Sequence, residues 1–237
     1  MRDTMIDIKK ADCMDLMSTM GGGEIDLIVT DPPYLFDSLS GGGISQKREY
    51  FQTLKPLDNG MSGKQLDECL RILKRPNLYL WGNWKQIVAY LDYFKDMQVF
   101  TNLLCWHKTN PTPLCANKYL NDTEYCLFVR GKGVKLYGGY HEHSTYWVSQ
   151  YNKEDKKKYD HPTIKPLPII QQMIENSSQP GDIVFDPFLG SGTTAVACKL
   201  TNRNFIGCEI DEKYIPIIEQ RLRDVEPKLL GGLDNWV

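Results

Sequence analysis

The chain has 237 residues, 41% hydrophobic and 24% charged, which supports one sizeable core and excludes wholesale disorder. A formal charge of −2 supplies no global attraction to a polyanion, so any grip on nucleic acid has to come from a local basic face. Residues 1–10 mix charged and apolar types, unlike a signal peptide, and no apolar run approaches bilayer length; a soluble, cytoplasmic protein with no membrane contact is expected.

Short apolar strands alternate with helical patterns, the mark of an α/β fold with a mostly parallel sheet. Residues 24–30 (EIDLIVT) read as a buried strand, halted at Asp31-Pro32-Pro33 because prolines cannot continue a ladder. The polar, Gly- and Ser-rich stretch 38–63 reads as a long mobile loop, expected to close over an active site. Helices are expected over 65–74 and 85–95, and strands over 77–81, 98–106 and 123–129. Residues 130–160 are polar and aromatic, with Tyr137, Tyr140, Tyr146, Trp147 and Tyr151 among His and Lys, and read as an insertion on the core. Regular order resumes with a helix over 167–175, a strand over 182–186, a helix over 192–200 and a strand over 204–209. A closing helix spans 211–225, kinked or begun late at Pro216. No repeat interrupts the series, so residues 1–237 are taken as one domain. The seven cysteines contain no C-x-x-C pair. Cys105, Cys115, His141 and His143 fit no common zinc spacing, and no metal is expected.

The clearest local signal is Asp186-Pro187-Phe188-Leu189-Gly190-Ser191-Gly192-Thr193-Thr194, a strand end, a tight glycine turn and a helix start. Glycines let the backbone turn sharply and let a ligand approach closely. The next strand ends at Glu209, where a carboxylate can accept hydrogen bonds from ribose hydroxyls. Together they indicate an adenosyl cofactor. The same turn satisfies the loose dinucleotide fingerprint, so an NAD-dependent oxidoreductase stays open on this motif alone. Asp186 favours S-adenosylmethionine, because a carboxylate suits an ammonium group and repels a pyrophosphate.

A second strand-end motif is Asp31-Pro32-Pro33-Tyr34. An adenine N6 lone pair is delocalised into its ring and is a poor nucleophile. Acceptors at its two hydrogens help it pyramidalise, and the Asp31 carboxylate and Pro32 carbonyl can supply them. Proline fixes φ, so the carbonyl points one way before reaction begins. Tyr34 offers a flat face for a base that is flipped from a duplex or already single-stranded.

With both motifs in view, the chain resembles the β-class DNA amino-methyltransferases, in which the catalytic motif precedes the cofactor motif. The resemblance rests on Ala11-Asp12-Cys13 through Asp31-Pro32-Pro33-Tyr34, and on His161-Pro162-Thr163-Ile164-Lys165-Pro166 through Phe205-Ile206-Gly207-Cys208-Glu209-Ile210-Asp211. Trp106-His107-Lys108-Thr109-Asn110-Pro111 and Glu124-Tyr125-Cys126-Leu127 look like the family's central strands. The resemblance implies a Rossmann-like, mostly parallel seven-stranded sheet with one antiparallel strand and helices on both faces. It implies a site-specific, adenine-directed activity in which Asp31, Pro32, Pro33 and Tyr34 bind the target amine and base. Phe188, Gly190 and Gly192 would line the methionine end of S-adenosylmethionine and Glu209 its ribose, with Asp31, Asp186, Ser191, Thr193 and Ile210 also binding the cofactor. Asp12 and Cys13 would lie near the cofactor adenine, and Thr163 and Lys165 near its carboxylate. DNA is the implied partner, with 130–160 as target-recognition segment. Many relatives dimerise, so the resemblance leans to a homodimer. Cytosine N4 and structured RNA remain alternative targets; Asp at the first catalytic position resembles the adenine enzymes.

Overall fold

The computed structural model describes residues 4–34, 60–111, 119–150, 153–159 and 164–225. In chain order the elements are β1 (Ile6–Lys10), α1 (Cys13–Thr19), β2 (Leu27–Thr30), α2 (Gly63–Ile72), β3 (Asn77–Gly82), α3 (Trp84–Phe94), β4 (Val99–Lys108) and β5 (Thr123–Gly131). They continue with β6 (Tyr146–Ser149), α4 (Lys153–Tyr159), α5 (Leu167–Ser177), β7 (Ile183–Asp186), α6 (Thr193–Leu200) and β8 (Asn204–Glu209). A single 3₁₀ turn, Glu212–Tyr214, then leads into α7 (Ile215–Arg223).

One sheet runs in the order β1-β8-β7-β2-β3-β5-β4-β6. Among the described residues only β5 is reversed: it pairs antiparallel with β3 and β4, and the other strand pairings are parallel. The expected Rossmann-like α/β architecture is present, but the sheet has eight strands rather than seven. The extra one, β6, arises inside the segment read as an insertion. Its Tyr146 and Val148 are exposed, so it lacks the apolar run that marks a buried strand.

Both faces of the central strands are covered, which explains why β2 and β3 are buried at every position. Ile28, Leu78 and Leu80 pack with Met17, Cys69 and Phe94 from α1, α2 and α3. Leu27, Val29, Tyr79 and Trp81 pack with Ile170 and Met173 of α5, Ala195 of α6 and Ile218 of α7. Capping boxes start α2 at Ser62 with Gln65 and α3 at Asn83 with Gln86.

β1 and α1 had no expectation from sequence. The strand is a half-exposed edge and the helix has only seven residues, too short for a clear period. At the other end, Pro216 lies in the first turn of α7, where the missing N–H costs nothing, so the late start is the correct alternative and there is no kink. The loop expected at 38–63 falls mostly outside the described residues; Gly63 itself begins α2. No helix among the described residues is long and apolar enough to cross a membrane.

Candidate active site

The two motifs are sequence-distant but adjacent in the sheet. β2 pairs with β7, with Leu27 opposite Val184 and Ile28 opposite Phe185, so both strands end at one edge. Thr30 Oγ1 at the end of β2 donates to Asp186 Oδ1 at the end of β7, at 2.7 Å. Thr194 Oγ1 donates to Asp186 Oδ2 at 2.7 Å, and the Phe188 N–H to Oδ1 at 3.1 Å. Burial still prevails over these three donors and pushes the Asp186 carboxyl up to about 6. One cavity is lined by Asp31, Trp81 and Lys165 together with Asp186, Phe188 and Gly190; Ser191 and Thr193 also border it.

The glycine turn is shaped for close approach. Gly190 and Gly192 have φ of 52° and 79°, a region that favours glycine. A Cβ on Gly192 would lie 2.8 Å from Ile218 Cγ2, so α7 packs directly on that backbone. Glu209 Oε2 accepts from the Gly190 N–H at 2.7 Å, and Oε1 from the Asp211 N–H at 2.9 Å. The Ala11 N–H donates to the Glu209 carbonyl, which brings Asp12 and Cys13 beside the end of β8. Asp12 caps α1 through the Met14 N–H, and buried Cys13 accepts from Gln65 Nε2. Ile210 is exposed, just past the strand end. Thr163 lies outside the described residues.

At the catalytic motif the structure adds groups that sequence reasoning did not assign. Lys165 Nζ donates to Asp31 Oδ2 at 2.6 Å and to the Tyr34 hydroxyl at 2.9 Å, and lies 2.9 Å from Glu124 Oε2. The Tyr34 hydroxyl donates to Glu124 Oε2 at 3.2 Å, and Lys108 Nζ stands 2.5 Å from Glu124 Oε1. Lys165 thus has partners other than the cofactor carboxylate expected from sequence: its ammonium is fastened to the catalytic motif. It also sits 5.0 Å from the Trp81 ring centroid and 5.1 Å from that of Tyr34. Gln86 Nε2 donates to the Pro33 carbonyl at 2.9 Å, so the first turn of α3 holds the motif's backbone.

The charges sort themselves by these contacts. Burial pushes the Glu124 carboxyl up, but the ammonium groups of Lys165 and Lys108 outweigh it and hold it at about 2. Burial depresses Lys165, and the Asp31 and Glu124 carboxylates more than restore it, so it stays cationic. Asp31 is raised, first by burial and then by Glu124, against the pull of Lys165. The Tyr34 hydroxyl is pushed well up by burial and by both carboxylates, and stays protonated. Asp31 Oδ1 and Trp81 Nε1 are both buried and make no hydrogen bond.

The fold, not residue order, brings Glu124 to the site. It is the second residue of β5, the reversed strand, so the start of that strand lies at the edge where its parallel neighbours end. A carboxylate leading an otherwise apolar run at that point belongs to the site.

The DNA methylase family model, which joins N6 and N4 methyltransferases, matches residues 25–220. The chain belongs to this DNA methylase family. The type II methyltransferase M.HinfI of Haemophilus influenzae is 30% identical over 95% of this chain and 70% of its own. The type II methyltransferase M2.MboI of Moraxella bovis is 27% identical, covering 96% and 91%. Among solved structures, the M1.HpyAVI–SAM complex superposes with a TM-score of 0.69 at 25% identity, over 92% of this chain and 99% of that one. The cytosine-N4-specific PvuII DNA methyltransferase shares the fold, with a TM-score of 0.69 at 16% identity over 92% and 86%. Membership in this DNA methylase family removes the nicotinamide reading that the glycine turn alone left open.

Proposed function

We propose that the chain transfers a methyl group from S-adenosylmethionine to the exocyclic N6 amine of adenine in DNA. The observation that carries this reading is the enclosed, unpartnered Oδ1 of Asp31, in the same cavity as the glycine turn. A buried acceptor without a donor costs about 1–3 kcal/mol, and an incoming amine recovers that cost.

The residues fit the cofactor. Gly190 and Gly192 present bare backbone, Asp186 supplies a buried carboxyl, and Glu209 adds acceptor oxygens at the neighbouring strand end. When bound, S-adenosylmethionine supplies an electrophilic methyl group on a sulfonium. That relative M1.HpyAVI was crystallised with SAM supports the assignment.

The rest of the work falls to this chain's side chains. Lys165 occupies Asp31 Oδ2 and turns Oδ1 toward a proton donor's needs. That oxygen would accept a hydrogen bond from the target amine, freeing its lone pair for attack, and would take up the proton that the nitrogen sheds on gaining the methyl group. Because the carboxylate and ammonium are placed before reaction, little reorganisation is left for the transition state. The Tyr34 ring is fixed by its hydroxyl bonds and offers a stacking surface, worth about 1–3 kcal/mol for a base. A target inside a duplex has to be flipped out to reach Asp31. We assign DNA contact to the segment 130–160, which contributes β6 and contains α4.

The test is product analysis. Protein incubated with methyl-labelled S-adenosylmethionine and DNA, then digested to nucleosides, should yield N6-methyladenine. Label found only in N4-methylcytosine would overturn the adenine assignment and leave the fold and cofactor reading standing.

A further inference from the structure

A buried arginine holds the glycine turn from behind. Arg221 on α7 is 3% exposed, and its Nη1 donates to the Ser191 carbonyl at 2.7 Å, to Ser191 Oγ at 3.0 Å and to Thr193 Oγ1 at 2.9 Å. Ser191 and Thr193 border the cavity, so one guanidinium gathers three oxygens of its wall. A charge so deeply placed is costly unless hydrogen-bonded. An aliphatic side chain would fill the same space at less cost, so the arginine is there for those oxygens. The guanidinium is always charged and rigidly planar, which suits it to fixing neighbouring acceptors at once.

A second helix covers the same group. The Tyr159 ring of α4 lies 5.4 Å from the Arg221 guanidinium carbon. Its hydroxyl donates to Asp224 Oδ2 at 2.8 Å, and Lys158 Nζ lies 2.7 Å from that oxygen. α4 is therefore pinned to the end of α7, over the arginine that braces the turn. It lies within the segment 130–160 assigned to DNA contact.

We infer that Arg221 is a positioning residue for the cofactor turn, and that Tyr159 links the docking of α4 to it. The inference rests on the proposed function, since it takes the bordering cavity to be the S-adenosylmethionine site. Ordering of α4 then favours cofactor binding, and cofactor binding favours docked α4 by the same factor. The C-terminal part of the DNA-contact segment thereby tunes affinity for the methyl donor without touching it.

The experiment measures S-adenosylmethionine binding by titration calorimetry, kcat at saturating donor and DNA, and melting temperature, on the full chain and four variants. Arg221→Met should raise the donor Kd about tenfold or more, the fold-change for losing a charged hydrogen bond. Its kcat at saturation should stay within about twofold, because the turn is repaired by bound donor. Arg221→Lys should recover part of the affinity, having three donors of its own. Tyr159→Ala should raise Kd about threefold, the scale of an exposed cation–π contact, and Tyr159→Phe less. The tyrosine variants keep the test alive where Arg221→Met does not fold. A folded Arg221→Met with unchanged Kd would overturn the positioning role, and Tyr159→Ala with wild-type Kd would overturn the link to α4. Wild-type protein that binds no S-adenosylmethionine would instead overturn the donor assignment, and this inference with it.

Discussion

Lys165 and Asp31 are 134 positions apart in the chain and 2.6 Å apart in the fold, and their contact takes one carboxylate oxygen while leaving the other enclosed and unpaired. That asymmetry leaves Asp31 paired with Lys165 on one side and open to a donor on the other. It also gives the site a pH signature and a structural cost when it is broken.

Replacing Asp31 by alanine removes the acceptor but none of the glycine turn. Turnover should fall by about 10²–10³, the scale for losing one preorganised electrostatic contact. Calorimetric affinity for S-adenosylmethionine should stay close to that of the wild type. Undiminished turnover would take Asp31 out of the chemistry.

The acid limb of the rate profile should move in opposite directions in two variants. Glu124 raises Asp31 and Lys165 lowers it. In Glu124→Gln the Asp31 carboxylate therefore persists to lower pH, and the limb shifts down. In Lys165→Met it shifts up. The second variant leaves Asp31 without its ammonium and Glu124 with Lys108 alone, and should lose about 1–3 kcal/mol of stability, seen in urea unfolding. Shifts of the same sign would contradict the network.

Glu124 should also shape acid stability. Its folded carboxyl is held at about 2 against an ordinary value of 4.5, so its stabilisation is complete above 4.5 and is lost as pH falls toward 2. The urea midpoint of the wild type should exceed that of Glu124→Gln near neutrality, and the gap should close across that acid window. A gap that stays constant down to pH 3 would show that the pair contributes nothing through ionisation.

Gly192→Ala places a methyl in the left-handed region and within 2.8 Å of Ile218 Cγ2. Backbone strain and overpacking should together cost about 2–4 kcal/mol, read as a lower melting temperature. Adding Ile218→Val should return part of that loss. Full stability in the single variant would mean that α7 does not press on the turn.

Glu209→Gln keeps the side chain's size and discards its charge, while Oε1 and Oε2 now serve Asp211 and Gly190. Donor affinity should weaken about tenfold with little change in kcat at saturation, as for an interaction equal in ground and transition states. An unchanged dissociation constant would remove Glu209 from the cofactor site.

Several features of this protein were legible in residue order because they are local. Two prolines end β2, glycines turn the chain after β7, and a carboxylate closes β8; each is a backbone or strand-end constraint that acts within a few positions. Helices α2 and α3 announce themselves by period and capping boxes for the same reason. Tertiary structure alone decided that β6 joins the sheet as an eighth strand, because an exposed edge strand has no apolar run to betray it. It alone placed Lys108, Glu124 and Lys165 around Asp31, and Arg221 under Ser191 and Thr193. Those contacts depend on which strand is reversed and on which helix crosses which turn, and charge pairing across a hundred residues leaves no periodic trace in the sequence.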